Sequence, residues 1–312
     1  SFVFIYAIAG LGLMVLTGFS GQVSFGQAAF VAIGAYTHTI LLTRYSVPWL
    51  LSLPIAALVA GLVGLAVGRI CGKMHGLYLA IATLSIAIVT ERLIGGAGDF
   101  TGGHRGLSVP EINILGLAID ESWKVYLLNF VIFVGCILIV RNLTRTRSGR
   151  AMIAIRDSEV SARALGTNVA FFKAYAFFIS AVFAGLAGGL LAHAFFYITP
   201  ETFGMGESIR RLLMIVVGGI GTIHGAVFGA FFIVLLPTVL SWVKIVLPSA
   251  VATSGGFDSL AFGLILLGFI LFEPDGLYGR WTKIHHYFNV FPMYKKRSFQ
   301  RQKTFLKTER LR

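Results

Sequence analysis

The stretch nearest to a phosphate-cradling loop is Gly68-Arg69-Ile70-Cys71-Gly72-Lys73-Met74. Such a loop needs glycine, four spacers, glycine and lysine, then a hydroxyl residue that reaches the metal ion on the phosphates. Here one spacer is missing and Met74 stands where Ser or Thr belongs, so the chain lacks this device for holding ATP. Titratable residues inside apolar runs come next, because a charge at membrane depth is costly and marks proton or ion work. They are His38, Glu91 with Arg92, His193 and His224, and no spacing among them makes a relay. Glu91 and Arg92 are adjacent, which on a helix turns their side chains about 100° apart. His224 lies in the break Gly218-Gly219-Ile220-Gly221-Thr222-Ile223-His224-Gly225, where unwound backbone can line a cavity; a hydrogen-bonded structural histidine is the competing reading. Gln22, Ser24, Gln27, Gly221, Thr222 and His224 are the candidates for lining a pathway. Cys71 and Cys136 stand far apart, without a His or Cys at metal spacing, and read as buried thiols. No catalytic residue, metal site or bound cofactor is expected.

The elements that must position these residues are apolar. Of 312 residues, 56% are hydrophobic and 12% charged, about half the charge of an average soluble domain, which makes this a polytopic membrane protein. Its formal charge of +13 could suggest nucleic acid. Seven Lys and Arg lie between Arg141 and Lys173 and ten more from Arg280 onward, however, so positive-inside topology accounts for the excess and no nucleic-acid partner is expected. Spans are expected at Phe2–Leu16, Val23–Leu42, Leu50–Val67, Leu77–Ile94, Trp123–Val140, Ala174–Tyr197 and Ser259–Phe272. Ile209–Leu247 is broken at its glycines into two spans or a re-entrant hairpin, giving roughly eight apolar segments. The Val23–Leu42 span is dense in glycine and alanine and is expected at the bundle centre. The acidic connections at Gly95–Ser122 and Thr199–Glu207 fall on the outer side, as does Trp242–Asp258. The chain divides into a transmembrane domain over 1–279, with a cytoplasmic loop at 141–173, and a basic cytoplasmic tail over 280–312.

Inside the 141–173 loop a short helix can be read over Glu159–Leu165. Asp157 or Ser158 is its N-cap, Glu159 and Arg163 complement its dipole, and Gly166 stops it. Two turns, about 10 Å, are too few to stand alone in water. The helix therefore packs on its own bundle or docks on a partner.

Several motifs then combine. Gly18-Phe19-Ser20-Gly21-Gln22-Val23-Ser24-Phe25-Gly26-Gln27-Ala28-Ala29-Phe30 is followed by Ile33-Gly34-Ala35-Tyr36, and Gly76-Leu77-Tyr78-Leu79-Ala80-Ile81-Ala82-Thr83-Leu84 comes after it. Thr101-Gly102-Gly103 with Gly106-Leu107, Ser148-Gly149-Arg150-Ala151 through Ala164-Leu165-Gly166, and Gly218-Gly219-Ile220-Gly221-Thr222 complete the set. Together they resemble the LivM-type permease subunits of bacterial ABC importers for branched-chain amino acids, from about Ile5 to Trp281. The resemblance implies an all-α, type II-like importer permease in the bacterial inner membrane, paired with a LivH-type permease. Two cytosolic ATPase subunits would bind the ATP, and a periplasmic substrate-binding protein would deliver the solute. The segment Arg156, Asp157, Ser158, Glu159, Ala162, Arg163, Leu165 and Gly166 would then be the coupling helix. The family usually has one further leading span, whereas this chain opens at Ser1 inside an apolar run, and its tail after Phe291 runs past the family pattern. Relatives carrying urea, short amides or aromatic acids share the motifs. A stand-alone ion-coupled carrier using His224 or Glu91, and a membrane scaffold recruiting a soluble partner, are the rival readings.

Overall fold

The computed structural model describes residues 1–246, except 73, 75, 115, 116, 119 and 120, together with 257–272 and 276–290. Helix α1 (Phe2–Met14) is apolar on every side, and nine of its thirteen residues are buried, so it forms the bundle axis rather than a lipid-facing wall. The first span was expected to end at Leu16, but the helix runs on as a π turn over Val15–Phe19. Gly18 permits this, since a side chain there would come 2.7 Å from the Cα of Gly221.

The chain then unwinds, with Gly21 at φ +70°, and α2 starts only at Gln27 and ends at Thr43, four residues later than the Val23 expected. Twelve of its seventeen residues are buried, so the central position read from its small residues is found. Helix α3 (Trp49–Cys71) lies along α8 (Val169–Phe195) through Gly64 and Gly68. A Cβ on Gly68 would sit 2.7 Å from Phe177 Cβ, closer than any side chain tolerates. Such small-residue seams replace the hydrophobic drive that lipid cannot supply.

Helices α4 (Leu77–Gly96) and α5 (Ser122–Arg145) form outer walls. Between them the extended residues make strands β1 (Leu107–Ser108), β2 (Asn113–Ile114) and β3 (Leu117–Ala118). β1 pairs antiparallel with β4 (Tyr197–Ile198) and β2 with β3, small additions to an otherwise helical fold.

The 141–173 loop is more ordered than its sequence suggests. Helix α5 continues five residues past Val140, and α6 (Arg147–Asp157) follows, capped where the Thr146 side chain accepts from Gly149 N. Then comes α7 (Glu159–Ala164).

The connection expected over Thr199–Glu207 is only partly a loop, because α9 (Met205–Gly218) already contains Glu207. After the glycine break, α10 (Ile223–Val246) returns along α9. Gly218 packs on Gly225 and Met214 on Gly229, so the two helices are antiparallel. At fourteen residues, about 21 Å, α9 is a half-span, whereas α10 is long enough to cross. Gly221 is not on α10; it sits in the break at φ +85°.

Helix α11 (Phe257–Phe272) follows, and α12 (Gly276–Val290) runs through position 280, where the sequence was divided into domain and tail. Among the described residues, six helices are long and apolar enough to cross a membrane, fewer than the roughly eight segments read, because α2, α9 and α11 are each shorter than eighteen residues. Most of the loop expected at Trp242–Asp258, and the tail beyond Val290, lie outside the described residues.

Candidate coupling and translocation site

At the basic end of the bundle, α7 is built as its sequence suggests. Ser158 is the N-cap, its Oγ accepting from Ser161 N at 3.2 Å, and Gly166 ends the element at φ +79°. Glu159 in the first turn lies 3.7 Å from Arg163 in the last. Only Ala162 is buried, against Ile155 of α6 and Val169 of α8. Val160 and Leu165 are 80% and 84% exposed, leaving two large apolar side chains on a surface that none of the described residues covers.

Two polar contacts fix the element to the spans. Glu159 forms an ion pair with Lys173, whose side chain is 3% exposed and whose helix, α8, touches more of the bundle than any other. Arg156, at the end of α6, donates through Nη1 to the carbonyl of Gly18 at 2.9 Å and through Nε and Nη2 to Asp157 Oδ1. Gly21 packs on the stem of Arg156, and a side chain on Gly221 would lie 3.6 Å from Arg156 Nη1. One arginine thus meets the π turn of α1, the unwound segment and the glycine break before α10.

In the unwound segment, hydroxyls and amides replace the missing helical partners. Phe25 N donates to Thr83 Oγ1 at 3.0 Å, Gly26 N to Ser24 Oγ at 3.2 Å and Ala28 N to Ser208 Oγ at 3.0 Å. Gln27 donates to the carbonyl of Ala9 and accepts from Ser180, near the middle of α1 and α8. The helix α2 therefore begins inside the bundle, with its positive end there, in the manner of a broken transport helix.

The structure buries Gln22, Ser24 and Gln27, each with partners of its own. Gln22 Nε2 binds Ser20 Oγ and the Lys173 carbonyl, while its Oε1 has no partner among the described residues. At this break the surface is made by Gly21 and Val23 instead. Thr222 caps α10, accepting from Gly225 N at 3.0 Å. His224 is turned away and stacks on Tyr278 of α12 at 5.1 Å.

Two clusters escaped the sequence reading. His38 and His193, between which spacing showed no relay, meet at 2.9 Å between their Nε2 atoms; Trp49 Nε1 donates to His193 Nε2, and Ser52 Oγ bonds His38 Nδ1. Glu207, Arg210 and Arg211 form a second cluster on α9, inside a stretch read as connection and apolar span. Its one-dimensional signal was the Glu-x-x-Arg-Arg spacing, which places all three on one helical face.

These features, a buried broken-helix core and a pinned helix pair at the basic end, coincide with a family match. The family of branched-chain amino acid transport system permease components matches residues 1–272. The chain belongs to this family. It is 34% identical over 255 residues to the high-affinity branched-chain amino acid transport system permease protein LivM of Escherichia coli strain K12, covering 74% of this chain and 60% of LivM. The chain thus spans about three fifths of the length of that relative. BraD of Pseudomonas aeruginosa, a permease of the same description, is 26% identical over 291 residues, 88% of this chain and 92% of BraD. The autoinducer 2 import permease LsrC of an Enterobacter species is 29% identical over 231 residues, 71% of this chain and 64% of LsrC. No solved structure matches the chain. As a permease component it is a multi-pass membrane protein, with its α6–α7 pair outside the spans.

Proposed function

We propose that this permease forms one half of an ATP-driven importer for branched-chain amino acids in the bacterial inner membrane. It pairs with a second, LivH-type permease, receives solute from a periplasmic binding protein and is driven by two cytosolic ATPase subunits, which bind the ATP. The observation that carries this reading is α7: a helix too short to stand alone, exposing Val160 and Leu165, yet tied to the spans through Glu159–Lys173 and Arg156–Gly18. A helix exposed on one side and pinned on the other can pass a partner's movement into the bundle. Asp157, Ser158, Glu159, Ala162, Arg163, Leu165 and Gly166 form that docking element, and Arg156 joins it to α1. The unwound segment at 21–26 and the break at 219–222 are the places where α1, α2 and α10 can change direction, because their backbone bonds are carried by side chains that can re-pair.

The test is reconstitution of the chain with its ATPases, second permease and binding protein. Paired reversal, Asp157→Lys with Glu159→Lys, should abolish uptake while leaving the basal hydrolysis of the ATPases intact. Full coupled uptake by the doubly reversed permease would refute the docking role, and uptake by this chain alone on an ion gradient would refute the importer reading.

A further inference from the structure

On the outer side of the seam between α3 and α8 runs a groove of about 430 Å3. Its floor is shallow because the helices touch there: a Cβ on Gly68 would come 2.8 Å from the Cα of Ala174. Leu65 of α3 forms one wall, and Phe171, Tyr175 and Phe178 of α8 form the other. Those three residues recur at intervals of four and three, which puts them on one helix face. The rings of Phe171 and Tyr175 are 6.1 Å apart and 7° from parallel, and those of Tyr175 and Phe178 are 6.3 Å apart and 11° from parallel. Toward the middle of α3 the groove closes, because a Cβ on Gly61 would meet Phe178 at 3.0 Å and Val182 at 2.5 Å.

The mouth of the groove is polar. Arg69 in the last turn of α3 and Asn168 at the N-cap of α8 line it, and α8 follows α7 directly, so the mouth lies at the end of the bundle that carries the coupling helix. Arg69 is exposed and has no ion pair or hydrogen bond among the described residues. Asn168 Oδ1 accepts from Phe171 N at 3.1 Å, while its Nδ2 has no acceptor among them. No carboxylate lines the groove. An arginine at a helix end needs no ligand by itself, since water solvates it. Here it stands over a closed aromatic trough, and the two together ask for a molecule with an anionic head and an apolar body. A helix of a partner subunit is too large to lie in the groove: two turns, about 10 Å wide and 11 Å long, fill roughly 850 Å3. A zwitterionic headgroup would bring an ammonium for which the lining offers no anion.

We infer that the groove between α3 and α8 binds an anionic phospholipid of the leaflet at the basic end of the bundle. The phosphate sits at Arg69 and Asn168, and the first part of an acyl chain lies along Phe171, Tyr175 and Phe178. The site is independent of the importer reading, because it needs only that the chain spans a bilayer. It also lies close to the coupling helix: Lys173, which grips Glu159, belongs to the same first turns of α8 whose outer face the lipid would cover.

The experiment uses the full chain in phosphatidylethanolamine bilayers doped with a trace of phosphatidylglycerol whose acyl chain carries a photoreactive diazirine, and maps the labelled peptides by mass spectrometry. Labelling should concentrate on the Phe171–Phe178 stretch of α8. Diazirine phosphatidylethanolamine, as the matched trace lipid, should label that stretch about fivefold less, the selectivity that one arginine at the surface confers. Arg69→Gln should lower labelling of the stretch by phosphatidylglycerol by a similar factor without altering labelling of α5, and Arg69→Lys, which keeps the cation, should retain at least half. Because Arg69 is exposed, its exchange leaves the core packed. Equal labelling by the two lipids overturns the site, as does labelling that Arg69→Gln leaves unchanged. Protection of the stretch from lipid when the second permease is added also overturns it, by showing that a protein covers this face.

Discussion

Arg156 Nη1 and the carbonyl of Gly18 meet at 2.9 Å across 138 residues of sequence. Gly18 sits in the π turn, where the regular ladder is already loosened, so its carbonyl can take an outside donor. A contact from α6 thereby grips the point at which α1 gives way to unwound chain.

Arg156→Ala should therefore weaken coupling more than folding. The guanidinium is 39% exposed, so solvent screening holds the stability loss to about 1 kcal/mol. Uptake in the reconstituted complex should fall several-fold, and thermal unfolding in detergent should shift little. A large loss of stability with intact uptake per folded complex would contradict this.

The Glu159–Lys173 pair should be asymmetric. Glu159→Gln leaves the buried Lys173 ammonium uncompensated and should cost about 3 kcal/mol, whereas Lys173→Met leaves only a partly exposed carboxylate and should cost less. The double variant should recover much of the loss. A double-mutant cycle by denaturant titration measures all three, and additivity would show that the pair does not interact.

The seam between α2 and α8 should not admit a side chain. Gly34 packs directly on the backbone of Gly185, and on Gly189 a Cβ would lie 3.3 Å from the His38 ring. Gly34→Val should cost at least about 2 kcal/mol through overpacking, read as a lowered thermal midpoint. An unchanged midpoint would mean that the helices are not in this contact.

His193→Phe should strip the Trp49 indole N–H and the His38 ring of their shared partner. Each buried group left unpaired costs about 1–3 kcal/mol. Adding Trp49→Phe should restore part of the stability lost, because one orphaned donor is then removed. If the second change adds its own full penalty, the hydrogen bond carries no weight.

Much of the architecture was legible because it rests on local chemistry. Apolar runs announce the spans, since lipid forces each backbone group to bond within its own helix. Ser158, Glu159 and Gly166 announce α7, because caps act within four residues. The small residues of α2 announced its burial. Hydropathy could not show that α9 starts at Met205, because two arginines vanish into the average of a long apolar run. Nor could it find α6, whose eleven residues mix five apolar side chains with three arginines and whose cap, Thr146, was read as loop.

The sequence alone determined what kind of molecule this is: a bundle of membrane helices, with many of its cations gathered in two stretches of the chain and a short capped helix within the first. Only the tertiary structure decided which distant polar groups meet: His38 with His193, Trp49 with His193, and Arg156 with Gly18. The reason is physical. Burial and helix capping act on neighbours along the chain, whereas a hydrogen bond between residues more than a hundred positions apart exists only once packed glycines have brought the helices close enough to make it.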